Sequence, residues 1–79
     1  MNRAELRIRL AEWGITPAAY SLDGGLPSEK YVLEQRISGW AVYYSEKGQK
    51  TGERTFDGEE AACHYILDLL TNDSSTHAT

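Results

Sequence analysis

Three side chains near the C-terminal end of the chain have the types that bind divalent metals or transfer protons. Glu60, His64 and Asp68 follow one another at intervals of four residues, so a helix would place them on one face. Two such intervals correspond to about 12 Å of helical rise, which is too far for three ligands of one ion. Only a neighbouring pair such as Glu60 with His64 could share a metal, and no fourth ligand is evident. The spacing therefore favours a solvated polar face, and we predict no cofactor and no metal.

The remaining reactive side chains form no catalytic pattern. Cys63 is the single cysteine and lies on the apolar side of the same segment, where a free thiol behaves as a small hydrophobic side chain. No serine occupies a G-x-S-x-G elbow, and neither histidine has the partners of a triad. Gly24-Gly25 lacks the Lys-Ser/Thr of a phosphate-binding loop and predicts a tight turn. We predict that the chain is not an enzyme, with Glu60 and His64 as the one alternative catalytic pair.

Length and charge narrow the class of protein. The chain has 79 residues, of which 41% are hydrophobic and 25% charged, as expected for one small globular domain. Its net charge of -4 disfavours binding to phosphate backbones and favours a basic partner. No apolar run approaches the 18 or so residues of a membrane span, and a small domain without disulfides suggests a reducing compartment. We predict a cytoplasmic protein that binds neither nucleic acid nor membrane.

The first residues predict an amphipathic helix over 2–13. Asn2 is a suitable N-cap, and Gly14 follows as a stop signal. Apolar residues at helical spacing mark the face that should be buried: Leu6, Leu10 and Trp13. The next stretch, residues 15–28, is rich in turn formers and predicts a connection.

Residues 39–45 carry the strongest strand signal in the chain, because aromatic and β-branched residues fit a half-buried pleated surface. Alternation sends one set towards the core: Trp40, Val42 and Tyr44. The opposite face receives the others: Ala41, Tyr43 and Ser45. Flanking runs at 30–37 and 51–56 predict two further strands, joined to the central one by Ser38-Gly39 and by the longer link 46–50. Gly52 weakens the last strand and suits an edge position.

A second helix is predicted from Asp57, as N-cap with Glu60 three residues later, to about Leu70. Its buried residues should be Ala62, Cys63, Ile66, Leu67 and Leu70. The whole pattern predicts an α+β domain over residues 1–71, a helix, a three-stranded antiparallel meander and a helix in two layers, with both helices on the Trp40 face. Residues 72–79 have no apolar anchor and predict a disordered tail.

The α-β-β-β-α order resembles that of the double-stranded RNA-binding domain. That module grips phosphates with lysines at the start of its second helix. Here the matching positions are Gly58, Glu59 and Glu60, whose carboxylates would repel phosphate. We therefore expect at most a shared topology without the binding.

A protein-binding surface is the better-supported alternative. Tyr43 is expected to project from the face opposite the core, and aromatic side chains are enriched at interfaces. Acidic residues on the neighbouring strand and in nearby loops would form a charged rim. The predicted partner-binding residues are Asp23, Glu29, Glu34, Tyr43, Glu46 and Glu53.

Three runs of the sequence look like small bacterial immunity proteins that partner polymorphic toxins. They are YSLDGG at 20–25, GWAVYYSEKG at 39–48 and FDGEEAACHYIL at 56–67, and the similarity extends over residues 5–70. The resemblance implies a stoichiometric inhibitor, monomeric or weakly dimeric, that occludes the active site or substrate approach of a cognate toxin with a basic surface. The alternative is a regulatory or adaptor domain that binds a peptide along the exposed strand 51–56.

Overall fold

A mixed four-stranded sheet with helices on one of its faces organises the chain. The computed structural model describes residues 1–77. Two single 3₁₀ turns, Pro17–Ala19 and Ser74–Thr76, supplement the main elements. These elements are α1 (Arg3–Glu12), β1 (Tyr20–Ser21), β2 (Lys30–Arg36), β3 (Gly39–Glu46), β4 (Gln49–Phe56) and α2 (Glu59–Asn72).

The strand order is β1-β2-β3-β4. The antiparallel meander β2-β3-β4 is present as predicted, and the α+β class is confirmed. The prediction of three strands is wrong, because β1 pairs in parallel with β2 through Tyr20–Tyr31 and Ser21–Val32. A two-residue strand inside a turn-rich segment has no periodicity of its own, and only its pairing partner reveals it.

Both hairpin turns contain two residues. In the first, Ile37 and Ser38 lead into Gly39, whose φ is 147°, and a Cβ at Gly39 would overlap the backbone carbonyl of Phe56. In the second, Lys47 and Gly48 have φ values of 52° and 75°, the positive pair that a type I′ turn requires. The second link is therefore shorter than predicted, and β4 begins two residues before the expected strand.

A Schellman motif ends α1. At the start of the helix, Asn2 caps it as predicted by accepting a hydrogen bond of 2.9 Å from the Glu5 amide. At its end, the Ile15 amide donates to the Leu10 carbonyl at 2.9 Å, with Gly14 at a φ of 74°. Ile15 therefore turns back against the helix and is 3% exposed, whereas Trp13 is 58% exposed. The prediction that Trp13 lies on the buried face is wrong for this reason.

The second helix begins at Glu59, one residue later than an N-cap at Asp57 predicts. Its N-cap is Gly58, without a side-chain hydrogen bond, so the prediction of Asp57 as N-cap is wrong. Glu59 in the first turn instead accepts a hydrogen bond of 3.0 Å from the Arg3 amide and thereby caps α1. Of the helices in residues 1–77, neither the 10 residues of α1 nor the 14 of α2 have the length and apolarity to cross a bilayer.

The main core lies between the two helices and one face of the sheet, as predicted. Partly buried side chains pack around it, among them Trp40 and Phe56. Leu67, expected inside, is only half-buried. The fully buried members are Leu6, Leu10, Ile15, Leu22, Leu33, Val42, Ala62, Cys63, Ile66 and Leu70. We call this side of the sheet the helix face and the opposite side the helix-free face.

The segment after α2 is anchored to the rest of the protein. Thr76 is 4% exposed, and its carbonyl accepts a hydrogen bond of 2.8 Å from the Thr16 amide. His77 forms a β-bridge with Ile15. The prediction of a disordered tail is therefore wrong for residues 72–77, because polar side chains and backbone groups supply the anchor that apolar residues do not. The last two positions of the predicted tail, 78 and 79, lie outside the described residues.

Candidate functional site

Two adjacent tyrosines of β3 point to opposite faces of the sheet and have different surroundings. Tyr43 lies on the helix-free face, where it packs with Val32 and Ala41. Tyr44 lies on the helix face, where its ring meets that of Tyr31. The sequence predicts this alternation correctly, and the environments of the two rings decide which one can meet a partner.

Tyr43 is not exposed, contrary to the expectation that made it an interaction anchor. It is only 1% accessible. The loop after β1 reaches its hydroxyl, which donates a hydrogen bond of 2.7 Å to the Gly25 carbonyl and lies 3.3 Å from Glu34 Oε2. Lys50 Nζ lies 4.8 Å from the ring centroid, a cation–π contact. Burial, followed by the charge of Glu34, raises the pKa of Tyr43 to about 12.

The acids around Tyr43 are already paired with a base of the same face. Arg36 donates from Nε to Glu34 at 2.7 Å and from Nη2 to Glu53 at 2.8 Å. These hydrogen bonds lower the pKa of both carboxyl groups and raise that of Arg36. Glu34 and Glu53 therefore complete a network within the chain.

Asp23 is paired in the same way, on the side of α1. Its carboxylate lies 3.7 Å from Arg3 Nη1 and 3.4 Å from Arg7 Nη2. Two arginines of α1 thus hold this loop. Of the predicted partner-binding residues, only Glu29 and Glu46 have no such internal base among residues 1–77.

On the helix face, Tyr44 and Tyr31 form an aromatic corner. Their ring centroids are 5.0 Å apart at an interplanar angle of 68°, the edge-to-face geometry that aromatic pairs favour. The Tyr31 hydroxyl donates a hydrogen bond of 2.9 Å to Asp73 Oδ2. Burial, aided by this bond, raises the pKa of Tyr31 to about 12. Hydrogen bonds from Ser75 and Tyr31 lower the pKa of Asp73.

Two concave regions share Tyr31 and Asp73. The Tyr44 pocket, of about 210 Å³, also contains Tyr44 and Glu29 and is bounded by the first 3₁₀ turn and Ser75. The Tyr65 hollow, of about 510 Å³, is more open and is lined along α2 by Tyr65, Asp68, Leu69 and Asn72. Arg54 of β4 lies over the Tyr65 ring, 5.1 Å from its centroid.

Several carboxylates lie around this aromatic corner, and Arg54 contacts only the Tyr65 ring at its edge. The pKa of Tyr44 is raised by burial and then by the negative charges of Glu46, Glu29 and Asp73. None of these acids, nor Asp68, forms an ion pair with a basic side chain in residues 1–77. We call this region the acidic tyrosine surface, and it consists of Glu29, Tyr31, Tyr44, Glu46, Tyr65, Asp68 and Asp73.

Sequence reasoning found two members of this surface and missed the others. Its alternation with Val42 predicts a core position for Tyr44, yet the Tyr44 side chain is half-buried. Asp73 falls in the segment for which the sequence predicts a disordered tail. A signal was present at Asp73, because Asp-Ser-Ser is a capping sequence: the Ser75 amide donates to Asp73 Oδ1 at 3.0 Å.

Glu60, His64, Asp68 and Cys63 do not form a reactive centre. His64 Nε2 lies 4.0 Å from Glu60 Oε1, and both side chains are largely exposed. Within residues 1–77, no three His, Cys, Asp or Glu side chains lie close enough together to hold a metal ion. Cys63 is fully buried, and burial raises the pKa of its thiol to about 11, which disfavours a nucleophilic thiolate.

No protein-family model, no curated protein and no solved structure matches the chain. The residues of the acidic tyrosine surface are therefore the basis on which a function can be proposed.

Proposed function

We propose that the chain binds a basic surface of a partner protein through its acidic tyrosine surface and inhibits that partner stoichiometrically. The observation that carries this proposal is the placement of unpaired acids. Asp23, Glu34 and Glu53 are ion-paired within the chain, whereas the acids around Tyr31 and Tyr44 have no such pair in the part of the chain that the structure describes. Stoichiometric inhibition of a toxin is the role that the resemblance to small bacterial immunity proteins implies.

Physical complementarity supports such a role. Unpaired carboxylates attract a basic surface over a distance and accelerate encounter, with a strong dependence on salt. Half-buried tyrosines supply contact area at a low cost in side-chain entropy and are enriched at interfaces. A partner with a basic substrate cleft would be blocked directly by occupation of that cleft. One copy of this chain per partner is the expected stoichiometry.

The proposed contact residues differ from the predicted set. Glu29 and Glu46 stay in it, and Tyr44 replaces Tyr43 as the aromatic anchor. Glu34 and Glu53 are left out because engaging them would break their hydrogen bonds with Arg36.

The second candidate function is peptide binding along β4. This strand is at the edge of the sheet, and seven of its eight residues are exposed. Two features oppose regular pairing there: Gly52, at a φ of 64°, lies in a bulge, and Lys50, Glu53 and Arg54 place charges along the edge. The acidic tyrosine surface is therefore the better-supported site.

The test is a capture experiment from native cell extract with this chain as bait, at low and at moderate salt. We expect one basic protein that salt releases and that mass spectrometry identifies. The captured protein is then produced alone, and its affinity for the bait, its stoichiometry and its loss of activity are measured. Absence of a partner at both salt concentrations would refute the inhibitor proposal.

Matched variants locate the contact. Glu29→Gln/Glu46→Gln should weaken binding about tenfold or more, as expected for two charges at an interface. The control variant Glu12→Gln/Asp57→Asn removes the same net charge outside the acidic tyrosine surface. It should leave the affinity for the partner nearly unchanged. Equal effects of the two double variants would indicate only a general charge effect. Binding that is insensitive to both variants and to salt would favour main-chain pairing along β4 instead.

A further inference from the structure

We propose that the Tyr44 pocket is a receptor for a single arginine side chain of the partner, an inference that rests on the proposed function and names its central contact. The pocket combines two aromatic rings with carboxylates at a concave site. Size, rigidity and charge each restrict the group that it can hold.

Size excludes a conventional small-molecule site. The pocket has a volume of about 210 Å³, whereas sites for drug-sized ligands enclose about 300–1,000 Å³. A space of this size suits the head group of one side chain. Its rim remains open to solvent, so a side chain projecting from a protein surface can enter.

The side of the pocket formed by Tyr31, Asp73 and Thr76 is ordered before a ligand arrives. Tyr31 is held by Asp73, and Asp73 is held by the amide of Ser75 at 3.0 Å and its hydroxyl at 2.7 Å. Thr76, which follows, is anchored to the Thr16 amide. Because these groups are already ordered, the entropic cost of closing the site around a ligand is low.

Charge requires a cation. Glu29 and Asp73 belong to the pocket, and after burial their negative charges, with that of Glu46, raise the pKa of the Tyr44 hydroxyl. A cation that entered would meet negative charge and the aromatic rings of Tyr31 and Tyr44. A divalent metal fits less well, because both oxygens of Asp73 already accept hydrogen bonds and the other lining side chains, apart from Glu29, are not hard carboxylate ligands.

Arginine fits this combination better than lysine. A guanidinium is planar and stacks on an aromatic ring while its edge donates to a carboxylate, and it is more weakly hydrated than an ammonium group. In the proposed arrangement the guanidinium lies against Tyr44 and donates to Glu29. Asp73 keeps its bonds to Tyr31 and Ser75 and contributes through its charge.

The direct test is an NMR titration of the full chain with acetyl-Gly-Arg-Gly-amide, with the lysine and citrulline peptides as controls. We expect the amide signals of Tyr31, Tyr44 and Asp73 to shift, with a dissociation constant on the order of 10 mM for one cation–π contact and one charge pair. The lysine peptide should bind several-fold more weakly, and the neutral citrulline peptide should cause no shift. Shifts elsewhere, no shifts, or equal shifts with citrulline would overturn the inference.

Variants separate the pocket from general electrostatics. Glu29→Gln should weaken arginine-peptide binding about fivefold, whereas Glu12→Gln on α1 should not change it. Tyr44→Phe retains the ring and should retain binding; Tyr44→Leu should lose most of it, with an unchanged circular dichroism spectrum as a check on folding. Equal binding by Tyr44→Leu and the unaltered chain would contradict the role of the ring.

The outcomes also separate this inference from the proposed function. If a protein partner is captured and Glu29→Gln/Glu46→Gln weakens it, yet arginine peptides leave the pocket signals unmoved, the inhibitor proposal stands and the pocket inference fails. If arginine peptides bind at the pocket but no protein partner is captured, the pocket stands and the inhibitor proposal fails.

Discussion

Tyr43 and Tyr44 are neighbours in the chain and differ in what surrounds them. Around Tyr43, the charges cancel: Arg36 joins Glu34 and Glu53, and Lys50 covers the ring. Around Tyr44, they do not cancel. On the helix-free face the charged groups pair with one another, whereas the acids of the acidic tyrosine surface form no ion pair with a basic side chain within residues 1–77.

The comparison shows that pairing, rather than residue type, indicates which surface is available for binding. Acids and tyrosines are present on both faces of the sheet. On the helix-free face, a partner would have to replace hydrogen bonds of 2.7 and 2.8 Å and would recover little free energy. On the acidic tyrosine surface, a basic partner gains new contacts at a smaller desolvation cost.

The largest expected effect is on folding, at Tyr43. Tyr43→Ala removes a ring that is 1% exposed and should lower the free energy of unfolding by about 3–5 kcal/mol. Tyr44→Ala, the matched change on the half-buried neighbour, should cost about 1–2 kcal/mol because less apolar surface is involved. Urea denaturation of both variants measures the difference. Equal losses would abolish the distinction between the two rings.

Removal of the hydroxyl groups alone sharpens the same contrast. Tyr43→Phe removes the hydrogen bond to the Gly25 carbonyl and the longer contact with Glu34 Oε2, and should cost about 1–2 kcal/mol. Tyr44→Phe should change stability by less than about 0.5 kcal/mol, since its hydroxyl donates to no group in residues 1–77. Thermal unfolding at neutral pH distinguishes the two, and a larger loss for Tyr44→Phe would reverse our assignment.

The Arg36 network should make stability depend on acid pH. The folded-state pKa values of Glu34 and Glu53 are lowered, so their contribution is present above the unfolded value of about 4.3 and is lost as pH falls through the folded values. Arg36→Gln should be less stable than the unaltered chain at pH 7, by less than Tyr43→Ala. The difference in stability between Arg36→Gln and the unaltered chain should narrow as the pH falls below the unfolded value. A constant difference from pH 7 to pH 3 would show that Arg36 contributes by packing alone.

The smallest expected change in stability is at the acidic tyrosine surface. Glu29→Gln/Glu46→Gln removes repulsion without breaking any ion pair of the described residues, so stability should rise slightly or stay within about 0.5 kcal/mol. The midpoint of urea unfolding at low salt measures this. A clear loss of stability would mean that these acids serve the fold, like Glu34 and Glu53.

Local signals in the sequence suffice for most of the fold. The Asn2 cap, the Gly14 stop, the alternation of β3 and the apolar spacing of α2 each act within a few residues, and the structure agrees with them. Failures occur where a distant group decides the outcome. β1, for example, exists through its pairing with Tyr31 and Val32. The failure at Trp13 is local instead, because the turn after α1 brings Ile15 back against Leu10.

The candidate site depends even more on distant groups. Asp73 reaches Tyr31 across 42 positions of sequence, and no local pattern indicates that contact. The predicted partner-binding acids differ in whether a basic side chain lies beside them. Glu34, for example, is paired with Arg36. Ion pairing across strands and loops cannot be inferred from composition or charge alone.

The anchoring of residues 73–77 has a consequence for how this protein can diversify. Asp73 and Ser75 help to form the Tyr44 pocket, yet their side chains lie outside the buried core. Glu29, which also lines this pocket, is exposed. Substitutions at these positions can reshape the pocket while Leu33, Val42 and Ile66 continue to hold the sheet and helices together. Related chains could thus exchange one partner for another through a few surface substitutions, without passing through an unstable intermediate.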